Sequence, residues 1–331
     1  MFSKVSIIGD GAMGTVLAGL LCEKKIAVRM WGYDPEQLKQ FEQAGENTRF
    51  LPGYKFPDEL LFEANDERIV SGCDLIVSAV PCQFMRSVWS RLRNHVPKGV
   101  PVVSVAKGIE NETLLRPTEV IADVLASEPE TAVLSGPTIA DELARRLPAT
   151  ACVACENDEL AKQIQYTFNT DWLRVYTNSD IVGVELAAAC KNVIAIAAGI
   201  IDGVGAGDNA KAALLSRGLA EISRLGVACG SRAETFAGLA GLGDLVTTCI
   251  SPKGRNRSFG ERIGSGLSVE QATNATESVV EGIATCKSLK ELAGNCGVEM
   301  PIAEAVHEIL FENKPVHKAI SELMTRQLKA E

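Results

Sequence analysis

Three groups of residues in this chain have types and spacings that could do chemistry. The first is Gly9-Asp10-Gly11-Ala12-Met13-Gly14, a GxGxxG run between an apolar strand pattern (Val5 to Ile8) and a helical pattern from Thr15 to Lys25. There Gly9 makes a tight turn, Gly11 lets a pyrophosphate approach the backbone, and Gly14 lets helix and strand pack closely. The helix N-terminus then faces the anionic diphosphate. A bare GxGxxG is often only a turn; its position in the first strand–helix unit is what points to a dinucleotide. The ribose end is less defined. An acid usually ends the second strand of an NAD site, but here that strand ends Arg29-Met30-Trp31-Gly32-Tyr33-Asp34. Asp34 arrives late and equally well caps the next helix, while Arg29 could face a 2′-phosphate or be a solvated strand residue. NAD and NADP both stay open.

The second group is centred on Lys191, inside Glu185-Leu186-Ala187-Ala188-Ala189-Cys190-Lys191-Asn192-Val193-Ile194-Ala195. Hydride transfer to a carbonyl needs a proton donor for the developing alkoxide. His95, His307 and His317 lie outside every motif, whereas a lysine whose pKa is lowered by burial can serve. An ammonium among small apolar residues is costly unless it has a partner or a task. The bland alternative is a lysine on the one polar stripe of a buried helix.

The third group runs from Gly241-Leu242-Gly243-Asp244 through Thr248 to Gly254-Arg255-Asn256-Arg257. In a helix starting near Asp244, Asp244 and Thr248 share a face. Asp244 can pair with an ammonium and Thr248 can bond a substrate oxygen. Arg255 can present a fork to a phosphate, with Asn256 adding an amide donor. Alone, these read equally as a helix cap and an Arg-rich surface loop. Lys107, after Ser104-Val105-Ala106, and Ser135-Gly136-Pro137-Thr138 each follow a strand pattern, where open α/β sheets bind ligands. Lys107, Lys191 and Arg255 would give an anionic substrate a local positive cluster.

The elements that must hold these groups change character along the chain. Apolar runs at 74–80, 100–106 and 131–134 suit strands buried on both faces, with later strands at 149–155 and 172–176. They alternate with amphipathic segments, one opened by Asp34-Pro35, so the first half reads as a doubly wound α/β domain. From about Asp180 the pattern is helical: 183–201, 209–226, 232–240, 257–265, 268–273, 278–296 and 301–311. We therefore expect residues 1–183 to form a dinucleotide-binding α/β domain and 184–331 an all-α substrate and catalytic domain. A length of 331 residues suits two domains. The formal charge of −9 excludes a broad basic face for nucleic acid. The apolar stretch 186–201 carries Lys191 and Asn192 at its centre, which suits a buried helix rather than a membrane span. No signal-peptide pattern opens the chain. Ten cysteines without a disulfide-scaffold pattern suggest a reduced cytoplasm. Cys152 and Cys155 form a CxxC with no second pair, which argues against zinc and leaves no metal site expected.

Read together, these motifs resemble, in order and along essentially the whole chain, the NAD(P)-dependent glycerol-3-phosphate dehydrogenases, closest to the bacterial type. The resemblance also takes in Val80-Pro81, Gly205-Ala206-Gly207-Asp208-Asn209, Val279-Val280-Glu281-Gly282 and Met300-Pro301-Ile302. It implies a Rossmann-type N-terminal domain, a helical C-terminal domain and an active site between them. It implies NAD(P)H-dependent interconversion of dihydroxyacetone phosphate and sn-glycerol 3-phosphate, supplying glycerophospholipid synthesis, and a homodimer. Lys191 matches the general acid/base, with Lys107 and Asp244 as its catalytic partners. Lys107, Gly136, Thr138, Lys191, Asn192, Asp244, Thr248, Arg255 and Asn256 match substrate positions, the last two being on the phosphate. Gly9, Gly11, Ala12, Met13, Gly14, Tyr33, Lys107, Ala140, Arg255, Val279 and Glu281 match cofactor positions. Members often carry Ser and an aromatic residue where this chain has Ala12 and Met13, and Ser where it has Gly254. Two other readings remain: a reductase of a β-hydroxy acid or ketopantoate, and a non-catalytic NAD(H) sensor.

Overall fold

The computed structural model describes residues 2–126, 129–276 and 279–328. Residue 278, the expected start of the helix at 278–296, lies outside them. The chain divides into two compact units, Met1–Lys107 with Leu115–Val184, and Gly108–Leu114 with Glu185–Glu331.

In the first unit the near-continuous apolar runs become strands of one eight-stranded sheet. They are β1 (Lys4–Ile8), β2 (Ala27–Trp31), β3 (Leu61–Phe62), β4 (Leu75–Ser78), β5 (Val102–Ser104), β6 (Thr131–Ser135), β7 (Ala149–Cys155) and β8 (Leu173–Asn178). Their spatial order is β3-β2-β1-β4-β5-β6-β7-β8. The order reverses beside β1, so the turn after β1 opens at the switch point where such sheets bind ligands. Every pairing is parallel except β6 with β7, which is antiparallel. A doubly buried apolar run reads the same in either direction, so its sequence does not reveal this.

The helices of this unit are α1 (Ala12–Glu23), α2 (Pro35–Ala44), α3 (Asp66–Val70), α4 (Met85–Leu92), α5 (Pro117–Leu125), α6 (Ala140–Ala144) and α7 (Asp158–Phe168). One core layer gathers Leu17, Leu21, Val103 and Phe168. The other gathers Trp31, Met85, Trp89 and Ile121. Burial on both faces is why the strand sequences do not alternate.

The second unit is helical: α8 (Ile181–Gly203), α9 (Asp208–Ala228), α10 (Ala233–Ala237), α11 (Asp244–Ile250), α12 (Arg255–Gly264), α13 (Val269–Asn274), α14 (Glu281–Asn295), α15 (Pro301–Phe311) and α16 (Val316–Met324). The helix expected over 232–240 instead stops at Gly238, and a π-turn at Leu239–Gly243 leads into α11. α8 is long and apolar enough to cross a membrane, but 94% of its apolar window is buried inside the protein.

α8 and α12 touch backbone to backbone. A Cβ on Gly199 would lie 1.9 Å from the Arg257 carbonyl oxygen, and one on Gly260 would lie 2.0 Å from that of Ile196. Asp202, near the end of α8, ties the helices further. Its carboxylate accepts from Arg257 Nε at 2.7 Å and from Lys211 Nζ of α9 at 2.8 and 2.9 Å.

Candidate active site

The glycine run does what its spacing requires. Gly9 sits at φ +118°, and a Cβ there would lie 2.6 Å from the Ala79 carbonyl oxygen. A Cβ on Gly14 would meet the Gly9 oxygen at 2.2 Å, so the third glycine is where helix and turn pack. Around Gly11 there is open space within 4 Å. Gly11 caps α1 without a side-chain hydrogen bond, so no side chain takes the place of an anion at the start of the helix. Asn47 braces the turn, donating from Nδ2 to the Asp10 carbonyl and to Thr15 Oγ1, both at 2.8 Å. These features suit a dinucleotide, whose pyrophosphate would rest on the N-terminus of α1.

Both candidate ribose selectors have structural duties. Asp34 accepts from the Glu36 N–H at 3.0 Å and caps α2. Arg29 donates to the carbonyls of Arg68 and Ser71 at 2.8 and 3.0 Å. Tyr33 is 63% exposed just after β2.

A second cluster forms past the ends of β5 and β6. The Gly136 carbonyl accepts from Lys107 Nζ at 3.0 Å and from Thr138 Oγ1 at 3.1 Å. Ala140 opens α6 nearby in sequence.

The helical unit holds the third cluster. Lys191 is 4% exposed and Asp244 2%. Lys191 Nζ lies 3.0 Å from Asp244 Oδ1 and donates to Thr248 Oγ1 at 2.5 Å. Thr248 Oγ1 in turn donates to Asp244 Oδ1 at 3.3 Å. Asp244 is therefore not a helix cap. It begins α11 as the continuation of the π-turn, with Gly243 before it in helical geometry. Its carboxylate compensates a buried ammonium that would otherwise be costly. The Lys191 side chain thus has specific partners on α11, with α9 and α10 between in the chain.

Arg255 and Asn256 open α12, whose cap, Gly254, supplies no side-chain hydrogen bond. Arg255 Nη1 donates to the Val279 carbonyl at 3.0 Å. Asn256 Oδ1 accepts from the Gly282 N–H at 3.0 Å, which leaves Nδ2 as the donor end of that amide. A Cβ on Gly282 would also crowd the Asn192 carbonyl oxygen at 2.8 Å, so Asn192 and Asn256 flank the same point. Glu281 begins α14 next to it. At Gly254 a Cβ would lie 2.9 Å from the Thr248 carbonyl oxygen, a local reason for glycine at that departure from the family pattern.

The chain matches the family described as NAD-dependent glycerol-3-phosphate dehydrogenase, its N-terminal part over residues 4–161 and its C-terminal part over 180–321. The chain belongs to this dehydrogenase family. A glycerol-3-phosphate dehydrogenase [NAD(P)+] of Chlorobium phaeobacteroides (strain BS1) is 47% identical to it, over 99% of both chains. The crystal structure of glycerol-3-phosphate dehydrogenase from Coxiella burnetii is 36% identical, with a TM-score of 0.94 over 98% of this chain and 99% of that one. A ketopantoate reductase from Ralstonia eutropha JMP134 is 15% identical, with a TM-score of 0.60 over 96% of this chain and 99% of that one, a likeness of fold alone. As a member of the glycerol-3-phosphate dehydrogenase family, the chain is an oxidoreductase that uses NAD or NADP.

Other polar groups in this dehydrogenase were not singled out by its motifs. Asn47, and the Asp202 and Lys211 that join Arg257, carry no local signal, because each matters through partners on other elements. On β7, Cys152 and Cys155 are three apart and point to opposite faces of the sheet. Burial pushes the Cys152 thiol up to about 11 and raises that of Cys155 too. None of the ten cysteines is in a disulfide.

Proposed function

We propose that the protein reduces dihydroxyacetone phosphate to sn-glycerol 3-phosphate reversibly, with Lys191 as the proton donor. The observation that carries this reading is the buried Lys191 ammonium held between the Asp244 carboxylate and the Thr248 hydroxyl. A bound nicotinamide supplies the hydride to C2. Lys191 gives its proton to the substrate's C2 oxygen as alkoxide character develops, so a hydride and a proton together make the alcohol. Asp244 and Thr248 hold the ammonium in one orientation and stabilise it before transfer. Arg255, Asn256 and the α12 N-terminus take the phosphate, since a guanidinium fork, an amide donor and unpaired N–H groups all favour a dianion. Lys107, Gly136, Thr138 and Asn192 complete the substrate set, Lys107 adding positive charge. Gly9, Gly11, Ala12, Met13, Gly14, Tyr33, Lys107, Ala140, Arg255, Val279 and Glu281 take the cofactor, the first unit binding the dinucleotide and the second carrying the proton chemistry.

The same reading assigns the product to glycerophospholipid synthesis, the enzyme to the cytoplasm and its assembly to a homodimer. Support comes from family membership and, for the compartment, from ten cysteines with no disulfide among them. The direct test follows absorbance at 340 nm with dihydroxyacetone phosphate and either NADH or NADPH. Turnover supports the reading. Cofactor binding without turnover would leave a sensor or a different carbonyl substrate.

A further inference from the structure

We infer that Asp10, the residue between the first two glycines, selects the ribose of the cofactor and makes the enzyme prefer NADH to NADPH. The inference rests on the NAD(P) cofactor of the reading above and does not depend on which carbonyl is reduced.

In an NAD site the acid that holds the ribose hydroxyls stands at the end of the second strand. Here β2 ends at Trp31, and Gly32 follows it. A Cβ on Gly32 would lie 2.6 Å from Asp10 Oδ2 and 2.9 Å from its Cγ. The Asp10 carboxylate thus fills the space that a side chain at position 32 would need. The acid is at the strand end, delivered from the neighbouring turn rather than from the strand itself. Two hydrogen bonds fix that turn: the Gly9 N–H to the Trp31 carbonyl at 2.9 Å, and Asn47 Nδ2 to the Asp10 carbonyl at 2.8 Å.

Gln37 of α2 donates to Asp10 Oδ2 at 2.8 Å, and Arg49 donates to Gln37 Oε1 at 2.7 Å. A carboxylate has about four acceptor sites, so capacity remains for a ribose diol. Burial raises the Asp10 carboxyl from its ordinary range, against the pull of Gln37 and Arg49. Half-buried and ionised, it gains from hydroxyl donors and repels a phosphate. Arg49 is the opposing charge. It is exposed and reaches Asp10 through Gln37, so solvent and salt weaken it more than they weaken the half-buried carboxylate. The repulsion therefore outweighs the attraction.

The test measures dissociation constants of NADH and NADPH by quenching of protein fluorescence, without any carbonyl substrate. It uses wild type, Asp10→Asn and Arg49→Ala. We expect wild type to favour NADH by roughly tenfold or more, the scale of a like-charge clash. Asp10→Asn keeps the shape and should move the ratio roughly tenfold toward NADPH. Arg49→Ala, at an exposed position, should move it further toward NADH. Shifts in opposite directions are what a purely structural Asp10 would not produce. A wild-type preference for NADPH, equal ratios in all three proteins, or shifts of the same sign would overturn the assignment. Selective cofactor binding with no turnover of dihydroxyacetone phosphate would instead count against the proposed substrate and leave the role of Asp10 standing.

Discussion

Lys191 illustrates how a buried charge depends on its surroundings. An ammonium inside an Ala-rich helix is unfavourable on its own, and the Asp244 carboxylate at 3.0 Å makes it tolerable while leaving it a transferable proton. Lys191→Ala should lower kcat by roughly 10²- to 10⁴-fold, the usual contribution of a positioned general acid, while the NADH dissociation constant stays near wild type. Steady-state kinetics with fluorescence titration checks both, and loss of cofactor affinity at unchanged kcat would remove Lys191 from the chemistry. Arg255 makes a different case. It donates to the Val279 carbonyl, and a guanidinium fork is suited to a phosphate. Arg255→Ala should raise KM for dihydroxyacetone phosphate roughly tenfold or more, with a smaller change in kcat. An unchanged KM would put the phosphate elsewhere.

Among the elements, α8 and α12 matter most, because α8 carries Lys191 and α12 begins with Arg255 and Asn256. Their separation is set by Gly199 and Gly260 at the crossing and by the Asp202 ion pairs beside it. Gly260→Ala places a methyl group about where the Ile196 carbonyl already sits, so the helices must part. A loss of about 1–3 kcal/mol in stability is expected from such overpacking, together with reduced kcat/KM. Urea midpoints and kinetics on the same variant check it; a variant of wild-type stability would mean that the crossing yields freely. α15 is held by a buried acid. Glu221 of α9 accepts from the Ile302 N–H at 2.9 and 3.1 Å, and burial outweighs these bonds, pushing its carboxyl from 4.5 up to about 7. A raised folded-state value means stabilisation that is complete below 4.5, declines as pH rises toward 7 and is absent above it. The swing is on the order of 3 kcal/mol. Measured against Glu221→Gln across that range, wild type should lose relative stability as pH rises. A constant difference would show that Glu221 does not titrate there.

For the molecule as a whole, the division into two compact units bears on how it unfolds. Two units with separate cores need not melt as one cooperative step. NADH at about a hundredfold its dissociation constant should stabilise the unit that carries the glycine run by about 2.7 kcal/mol. Calorimetry with and without NADH should show that increment in the transition containing the sheet. Stabilisation confined to the helical unit would contradict the placement of the dinucleotide. The formal charge of −9 makes the local cations the more telling, since an anionic substrate meets a repulsive average field.

The sequence by itself determined the fold class, the turn at Gly9–Gly14, the helical character after Asp180 and Lys191, Asp244 and Thr248 as residues that could meet. These are legible because glycine spacing and apolar periodicity report local backbone geometry and burial. Tertiary structure decided what depends on chain segments meeting. It set β7 antiparallel to β6, joined Gly108–Leu114 to the helical unit, and turned Asp244 from a possible helix cap into the partner of Lys191. It also gave Asp34 to α2 and Arg29 to backbone carbonyls, and set the Asp10 carboxylate against Gly32. Periodicity records which face of an element is buried. It does not record which distant side chain is buried against it, and that pairing is where the acid at the end of β2 comes from.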